Sequence, residues 1–469
     1  MKIVSKNIDF SKWYTSVLQA SGMFEYGMIK GTIIMKPYSY AIWENIQKHV
    51  NVFLRETNTQ NCMMPLFIPY SEFIKETSHI NGFSPELFKV TEIGSKKIED
   101  AYVVRPTSEI SFCNYFSSLL ISYKDLPIKL NQWCSAFRAE KNTRPFLRTT
   151  EFLWQEQHAI FSNKKEAMDF SLLMIQNYKF LLKDILCIDC LLGTKTEYER
   201  FAGADITYTV ESFMPDGQVL QSGTSHYLAQ NFSKIFNIKF QSEDNKMENV
   251  YQTSAGISTR LIGAIVLAHS DDKGLVLPSK IAPYSVVLNI FNHSNEMENN
   301  LIQIKKILAN FSHHIDDSDK SFGAKINEYE IKGVPIQIIY GEKEFKNEEL
   351  TIYMRHSQER KIIKLKDFNS NYLNDIIKFH DEFLFLNSSK LLNSSIVEVN
   401  NIDEFTKAIK DKKIVLANWA GSKEDEEELK KLTGASSRCI KFNSPISQDS
   451  TCFFTKKSNT KKVYFARAY

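Results

Sequence analysis

Residues 128–160 read IKLNQWCSAFRAEKNTRPFLRTTEFLWQEQHAI, and this stretch decides what kind of sheet the chain builds. From Leu130 onward Trp133, Phe137 and Ala139 fall on odd positions, which leaves Arg138 and Glu140 together on one face of a strand. A short loop, Lys141–Leu147, holds Asn142, Arg144 and Pro145. A second alternating segment then places Arg148, Thr150, Phe152, Trp154, Glu156 and His158 on one face. Paired antiparallel, the two segments would gather guanidinium, carboxylate, aromatic and imidazole groups on a single sheet surface. Such a face is costly to bury unless a ligand or a paired network satisfies it. A solvated face would not carry Trp and Phe among its charges, so this pair is read as a functional site.

Three further segments carry polar groups to the ends of elements. Arg105–Glu109 (RPTSE) follows the short strand Ala101–Val104, and Gln221–His226 (QSGTSH) is a polar stretch between two apolar ones. Gly256–Arg260 (GISTR) runs straight into the apolar helix Leu261–His269. An arginine at a helix start opposes the macrodipole, and a polyanionic ligand would give it a reason to be there. Upstream, Pro37 leads a helix over Tyr38–Glu56 in which Ala41, Ile42, Ile46, Val50, Phe53 and Leu54 form an apolar stripe. That stripe is core packing or a subunit interface.

The whole chain has 469 residues, 43% hydrophobic and 24% charged, a globular composition sufficient for roughly two to four domains. Its net charge of +3 excludes nothing but a uniformly basic surface. Seven cysteines, odd in number and widely spread, argue for a reducing compartment, and no apolar run reaches the roughly 20 residues of a membrane span. With no signal-peptide pattern at the N-terminus, a cytoplasmic protein is expected. After Pro283 the pattern changes to alternating elements: strands at Ser285–Phe291, Val334–Tyr340 and Glu349–Met354, helices at Asn299–Phe311 and Asp367–Leu386. Asn387–Ser395 (NSSKLLNSS) reads as a polar linker, and a third small α/β unit follows from Ile396. Its charged run, Lys423–Lys431, reads as a solvated helix face. Cys187 and Cys190 lie in an apolar stretch without a second CxxC and are read as core cysteines.

In this order the segments resemble the class II aminoacyl-tRNA synthetases, and among them the prolyl enzymes of the archaeal and eukaryotic type. Pro37 with its helix looks like motif 1, Phe137–Glu140 through Phe146–His158 like motif 2, and Gly256–Arg260 with its helix like motif 3. Arg105–Glu109 matches the Thr-x-Glu loop of the prolyl enzymes; Phe201–Asp205 and Gln221–His226 match two further stretches around their pocket. The resemblance implies an α+β catalytic domain with an antiparallel sheet flanked by helices over 1–283. An α/β anticodon-binding domain over 284–386 and a small α/β C-terminal domain over 387–469 would follow. It also implies a homodimer, and a ligase that activates proline with ATP and transfers it to proline tRNA. A nucleotide fold of the GxxxxGK[ST] kind is not expected, since no such segment occurs.

Residue roles follow from the resemblance. Arg138 would bridge the proline carboxylate and the α-phosphate, and Arg260 would take the γ-phosphate, which makes these two the catalytic pair. Glu140, Arg148, Thr149, Gln221, Thr224 and Ser258 would complete the ATP site, with Mg²⁺ near Gln221. Thr107 and Glu109 would hold the proline ammonium, Trp154 and Phe201 would wall its ring, and Glu156, His158 and His226 would frame it. Glu330 and Lys343 fall where relatives read anticodon bases; Arg355 and Arg360 would meet phosphates or solvent. About a hundred residues separate motif 2 from motif 3, too few for an inserted editing domain, so some alanine mischarging is expected. The chain departs from its relatives in the C-terminal domain, where Trp419–Asp425 lacks cysteine and Cys452 stands without partners. Tetrahedral zinc needs four N or S ligands, so no zinc site is expected. A synthetase for threonine and a non-catalytic RNA-binding paralogue remain as rivals at this point.

Overall fold

The computed structural model describes residues 2–79 and 87–469. The helix Pro37–Glu56 begins where proline fits, at a first turn whose amide needs no partner, and buries Ile42, Trp43, Ile46, Val50 and Leu54. It lies across the back of the strand Ile128–Phe137, with the Trp43 and Trp133 rings 5.5 Å apart and nearly perpendicular. That strand pairs antiparallel with Glu151–Phe161, so that Gln132 faces Glu156 and Cys134 faces Trp154. Next come Tyr251–Ser258, Gln218–Ala229, Ile206–Phe213 and Cys190–Thr194, all antiparallel. The expected alternation holds, but both strands stop short of the charges at the turn. Arg138 and Glu140 lie just past one strand and Arg148–Thr150 just before the other, held by the Arg138 N–H to Thr150 carbonyl bond of 2.8 Å.

Behind this sheet the helices Lys164–Phe180 and Arg260–His269 close the largest apolar core. The next unit has a five-stranded sheet in the order His313–Asp316, Val286–Ile290, Ile336–Tyr340, Glu349–Met354, Glu359–Lys364. Three of its strands and the helix Glu298–Leu308 match expectation within two or three residues. The outer strands and the helix Phe322–Ile331 carry too little alternation to read from sequence.

One expectation about the C-terminal part is corrected. Asn387–Ser395 is no linker but the end of one continuous helix, Ser370–Ser395. Its serines and leucines are spaced to bury Leu384, Ser388, Leu392 and Ser395 on one face, and Ser388 Oγ accepts the Asp189 N–H at 3.0 Å. The charged run is the mostly solvated helix face expected, Lys423–Thr433, with Glu426 as the buried exception among its charges, its carboxylate accepting from Ser437 and Thr196. The last unit has no sheet of its own: its strands Ile396–Val399, Ile414–Trp419, Lys461–Ala468 and Ser436–Lys441 join Cys190–Thr194 in one 11-stranded sheet. Gly193 permits the junction, because a Cβ there would stand 2.1 Å from the Ile440 carbonyl oxygen.

Cys187 and Cys190 are buried in separate apolar clusters, and burial pushes the Cys190 thiol up to about 12. Among the described residues no helix is long and apolar enough to cross a membrane.

Candidate active site

A cavity of about 270 Å³ opens on the face of the central sheet. Thr107, Glu109, Arg138, Glu140, Arg148, Thr149, Trp154, Glu156, Phe201, Gln221, Thr224, His226, Ser258 and Arg260 all line it, so the separate sequence segments converge on one space. His158 does not line it. Its ring lies behind Glu156, stacked on Phe112 at 4.2 Å, with Nε2 3.1 Å from Glu156 Oε1.

One end of the cavity is a carboxylate cage. The strand Lys96–Val104 delivers Thr107 and Ser108 to the start of the helix Glu109–Leu119, where a first-turn carboxylate is favoured by the helix dipole. The Thr107 hydroxyl donates to Glu109. Glu156, 2% exposed, is the better satisfied anion. It accepts from the Ser108 N–H at 2.9 Å and from Gln132 Nε2 at 2.9 Å, and its Oε1 lies 3.2 Å from the Thr107 oxygen, whose one hydrogen is shared with Glu109. Burial alone would raise its pKa; the bonds from His158, Gln132 and Ser108 outweigh burial and hold it below the ordinary range. Glu109 goes the other way, raised by burial and by the charge of Glu156 against the opposing pull of His158. Two neighbouring carboxylates pushed apart in this manner suit a cationic ligand that brings its own positive charge. Glu109, Glu156 and His158 are also, among the described residues, the one grouping whose ligand atoms lie close enough to hold a metal ion. Of the three, Glu156 is the one already held by Ser108, Gln132 and His158.

The opposite end is cationic. Arg260 donates from Nε to the Leu147 carbonyl at 3.1 Å and from Nη1 to the Gln221 carbonyl at 3.3 Å. Its pKa falls to about 10, first through burial and then through the charges of Arg138 and Arg148. Three guanidiniums crowded into one cavity ask for a polyanion. Arg138 stands between the two ends, within electrostatic reach of Glu109, Glu156 and Glu140. Its Nε donates to the Pro106 carbonyl at 3.2 Å, and its guanidinium lies 5.2 Å from the Phe152 ring and 5.8 Å from that of Trp154.

The apolar wall is fixed as firmly. Trp154 Nε1 donates to Cys134 Sγ at 3.2 Å. The Phe201 and His226 rings lie 4.6 Å apart. Thr207 Oγ1 accepts the Phe201 N–H at 3.1 Å and pairs with His226 Nδ1 at 3.0 Å. Burial, helped by the charges of His158 and Lys195, lowers the His226 pKa to about 3, so the ring is neutral.

Several contributors escaped the sequence reading. Gln132 braces the cage, and its parity with Arg138 on the same strand was the signal available. Arg105, quoted as part of a ligand-like segment, is instead a brace: it donates to the Ser135 carbonyl at 2.8 Å and the Met64 carbonyl at 2.7 Å. In the second unit Arg355 is fully buried and grips Asp271 through both nitrogens, at 2.8 and 2.6 Å, so it meets neither phosphate nor solvent. Glu330 is committed to the Tyr353 hydroxyl and to Lys273. Lys343 and Arg360 are exposed, Lys343 on the short helix Glu342–Lys346.

Comparison with known proteins agrees with this geometry. The profile described as tRNA synthetase class II core domain (G, H, P, S and T) matches residues 88–269. Those for an anticodon binding domain and for the C-terminal part of prolyl-tRNA synthetase match 285–373 and 402–469. A proline--tRNA ligase of Malacoplasma penetrans is 53% identical over 468 residues, covering 100% of both chains. One of Mycoplasma mycoides is 45% identical over 470 residues, covering 100% of this chain and 99% of the relative. The crystal structure of prolyl-tRNA synthetase from Cryptosporidium parvum, complexed with halofuginone and AMPPNP, superposes with a TM-score of 0.94 at 34% identity, over 100% of this chain and 97% of that one. With the three matched regions in the order of the three structural units, the chain belongs to the prolyl-tRNA synthetases, the proline--tRNA ligases of class II.

Proposed function

We propose that the carboxylate end of the cavity takes proline, the arginine end takes ATP, and Arg138 joins the two reacting groups. The observation that carries this reading is the position of Arg138 between Glu109/Glu156 and Arg260 in one cavity. In the first step a proline carboxylate oxygen attacks the α-phosphorus of ATP and pyrophosphate leaves. In the second, a terminal ribose hydroxyl of proline tRNA attacks the activated carbonyl and AMP leaves. Both steps gain from alignment and from charge stabilisation, so no protein nucleophile is required.

Glu109 and Thr107 receive the proline ammonium over the anion of Glu156, while Trp154, Phe201 and neutral His226 enclose the ring. His158 acts one layer back, by holding Glu156. Arg138 offers its remaining N–H groups to the carboxylate and α-phosphate; Glu140 receives the adenine amino group. Arg148, Thr149, Thr224 and Ser258 line the triphosphate path and Arg260 takes its end. Mg²⁺ suits the oxygen of Gln221, half-buried at the arginine end, and would offset phosphate charge there.

The same reading includes a homodimer, a cytoplasmic setting and tRNA binding by the second unit. Tyr26, Met28, Ile29 and Ile34 are exposed ahead of the helix Pro37–Glu56, as are Tyr40 and Val52 on it, an apolar surface suited to a second copy. All seven cysteines are free, which suits a reducing compartment. Lys343, exposed and cationic, is the better placed of the two residues proposed for anticodon contact. The test is proline-dependent exchange of pyrophosphate into ATP by purified protein with Mg²⁺. Exchange with proline is the expected result; folded protein that exchanges with threonine or not at all overturns the reading.

A further inference from the structure

A buried ion cluster joins the last unit to the sheet under the cavity. Arg438, on the strand Ser436–Lys441, is 4% exposed. Its Nε and Nη2 both donate to Glu211 Oε2 at 3.2 Å, and its Nη1 donates to Ser436 Oγ at 3.0 Å and stands 4.0 Å from Glu199 Oε2. Lys195 Nζ completes the cluster, 2.6 Å from Glu211 Oε1 and 2.9 Å from the Arg438 carbonyl. Thr209 Oγ1 donates to the same carboxylate at 2.8 Å.

The desolvation cost of such a cluster makes it a poor source of stability, so its value lies in fixing positions. Two of its members lead to the cavity. Glu199 lines it. Glu211 is the cross-strand partner of Gln221, next to a β-bulge, and cross-strand partners project to the same face. The Gln221 carbonyl in turn accepts from Arg260 Nη1 at 3.3 Å. The Glu211 charge also reaches Arg260 through space, where it opposes the repulsion from Arg138 and Arg148. A bulge is where a strand re-aims its side chains, and here the anchored carboxylate sits at that bulge.

We propose that Arg438, supplied by the C-terminal unit, is a positioning residue for the nucleotide end of the catalytic cavity. It acts through Glu211 on Gln221 and Arg260. The inference rests on the assignment of those two residues to ATP. Arg438 itself bonds none of the residues assigned to proline, so its larger effect falls on the nucleotide.

The experiment is steady-state ATP–pyrophosphate exchange with ATP and proline varied separately. Arg438→Met should raise the ATP KM by about three- to thirty-fold, the range that coupling through packed networks reaches, and leave the proline KM within about two-fold. Arg438→Lys, which keeps the charge but loses the fork, should fall between the two enzymes. A purely structural role would lower the amount of active enzyme and move neither KM. Equal changes in both constants, or none, overturn the proposal. If Arg438→Met does not fold, Glu211→Gln decides: an unchanged ATP KM there also overturns it. Arg260→Ala separates the two layers of the argument. An ATP KM raised in Arg260→Ala but normal in Arg438→Met refutes the role of Arg438 alone. A proline KM raised in Arg260→Ala, with that for ATP unchanged, refutes the assignment of the nucleotide end.

Discussion

Replacing Gln132 by leucine removes the amide that braces the carboxylate cage while nearly conserving volume. Gln132 is fully buried; its Nε2 reaches Glu156 at 2.9 Å and Ser108 Oγ at 2.7 Å, and its Oε1 accepts the Met64 N–H at 3.0 Å. Leucine would leave three buried polar groups without that partner. A hydrogen bond to a charged group is worth about 1.5–3 kcal/mol and a stranded neutral group costs about 1–3 kcal/mol. The local cost is therefore on the order of 3–5 kcal/mol, less than the simple sum because the three share one network. The functional consequence has a definite sign. Burial raises the Glu156 pKa, whereas its bonds from His158, Gln132 and Ser108 lower it. Removing Gln132 strengthens the balance toward the protonated form, by about one pH unit if roughly 1.4 kcal/mol of anion stabilisation is lost. Binding of an ammonium requires the anion, so affinity for proline should disappear at higher pH than in the native enzyme. The assay is pyrophosphate exchange from pH 5 to 8, with kcat/KM for proline plotted against pH, alongside thermal unfolding. The acid limb should move up by about one pH unit, the proline KM should rise at the acid end of this range rather than at pH 7, and the ATP KM should stay nearly constant. A folded Gln132→Leu enzyme with an unmoved acid limb would show that Glu156 does not serve the proline end.

Arg138→Ala should lower exchange by about 10²-fold or more, as loss of one preorganised charge donor does, with no loss of fold, and a near-native rate would mean that another arginine serves the α-phosphate. Lys343→Ala should weaken charging of proline tRNA while leaving exchange nearly intact; equal loss in both assays would trace the effect to stability instead. The protein purified without chelator should contain no zinc, and metal analysis finding one tightly held zinc per chain would contradict this. Buried Cys439 and Cys452 lie in different apolar clusters, which is the structural ground for expecting none.

The sequence alone determined the strand pair, because alternation over residues 128–160 has only one way to place Arg138, Trp154 and Glu156 on a common face. It also determined the helix at Pro37, a residue with a strong preference for a first turn, and the apolar helix that Arg260 opens against its dipole. Tertiary structure decided everything that depends on partners distant in the chain. The serines of Asn387–Ser395 read as a loop because their preference is weak, and only packing against Leu191 and Ile414 made them helix. His158 shares the parity of Glu156 but falls behind it, since depth along a strand is set by what covers the sheet, here Phe112. Arg355 looked free for RNA until Asp271, 84 residues away, took both its nitrogens. Above all, nothing local told that the C-terminal strands would extend the catalytic sheet. That junction depends on a glycine without Cβ at residue 193 and on charges at 195, 211 and 438 that meet only when the chain is folded.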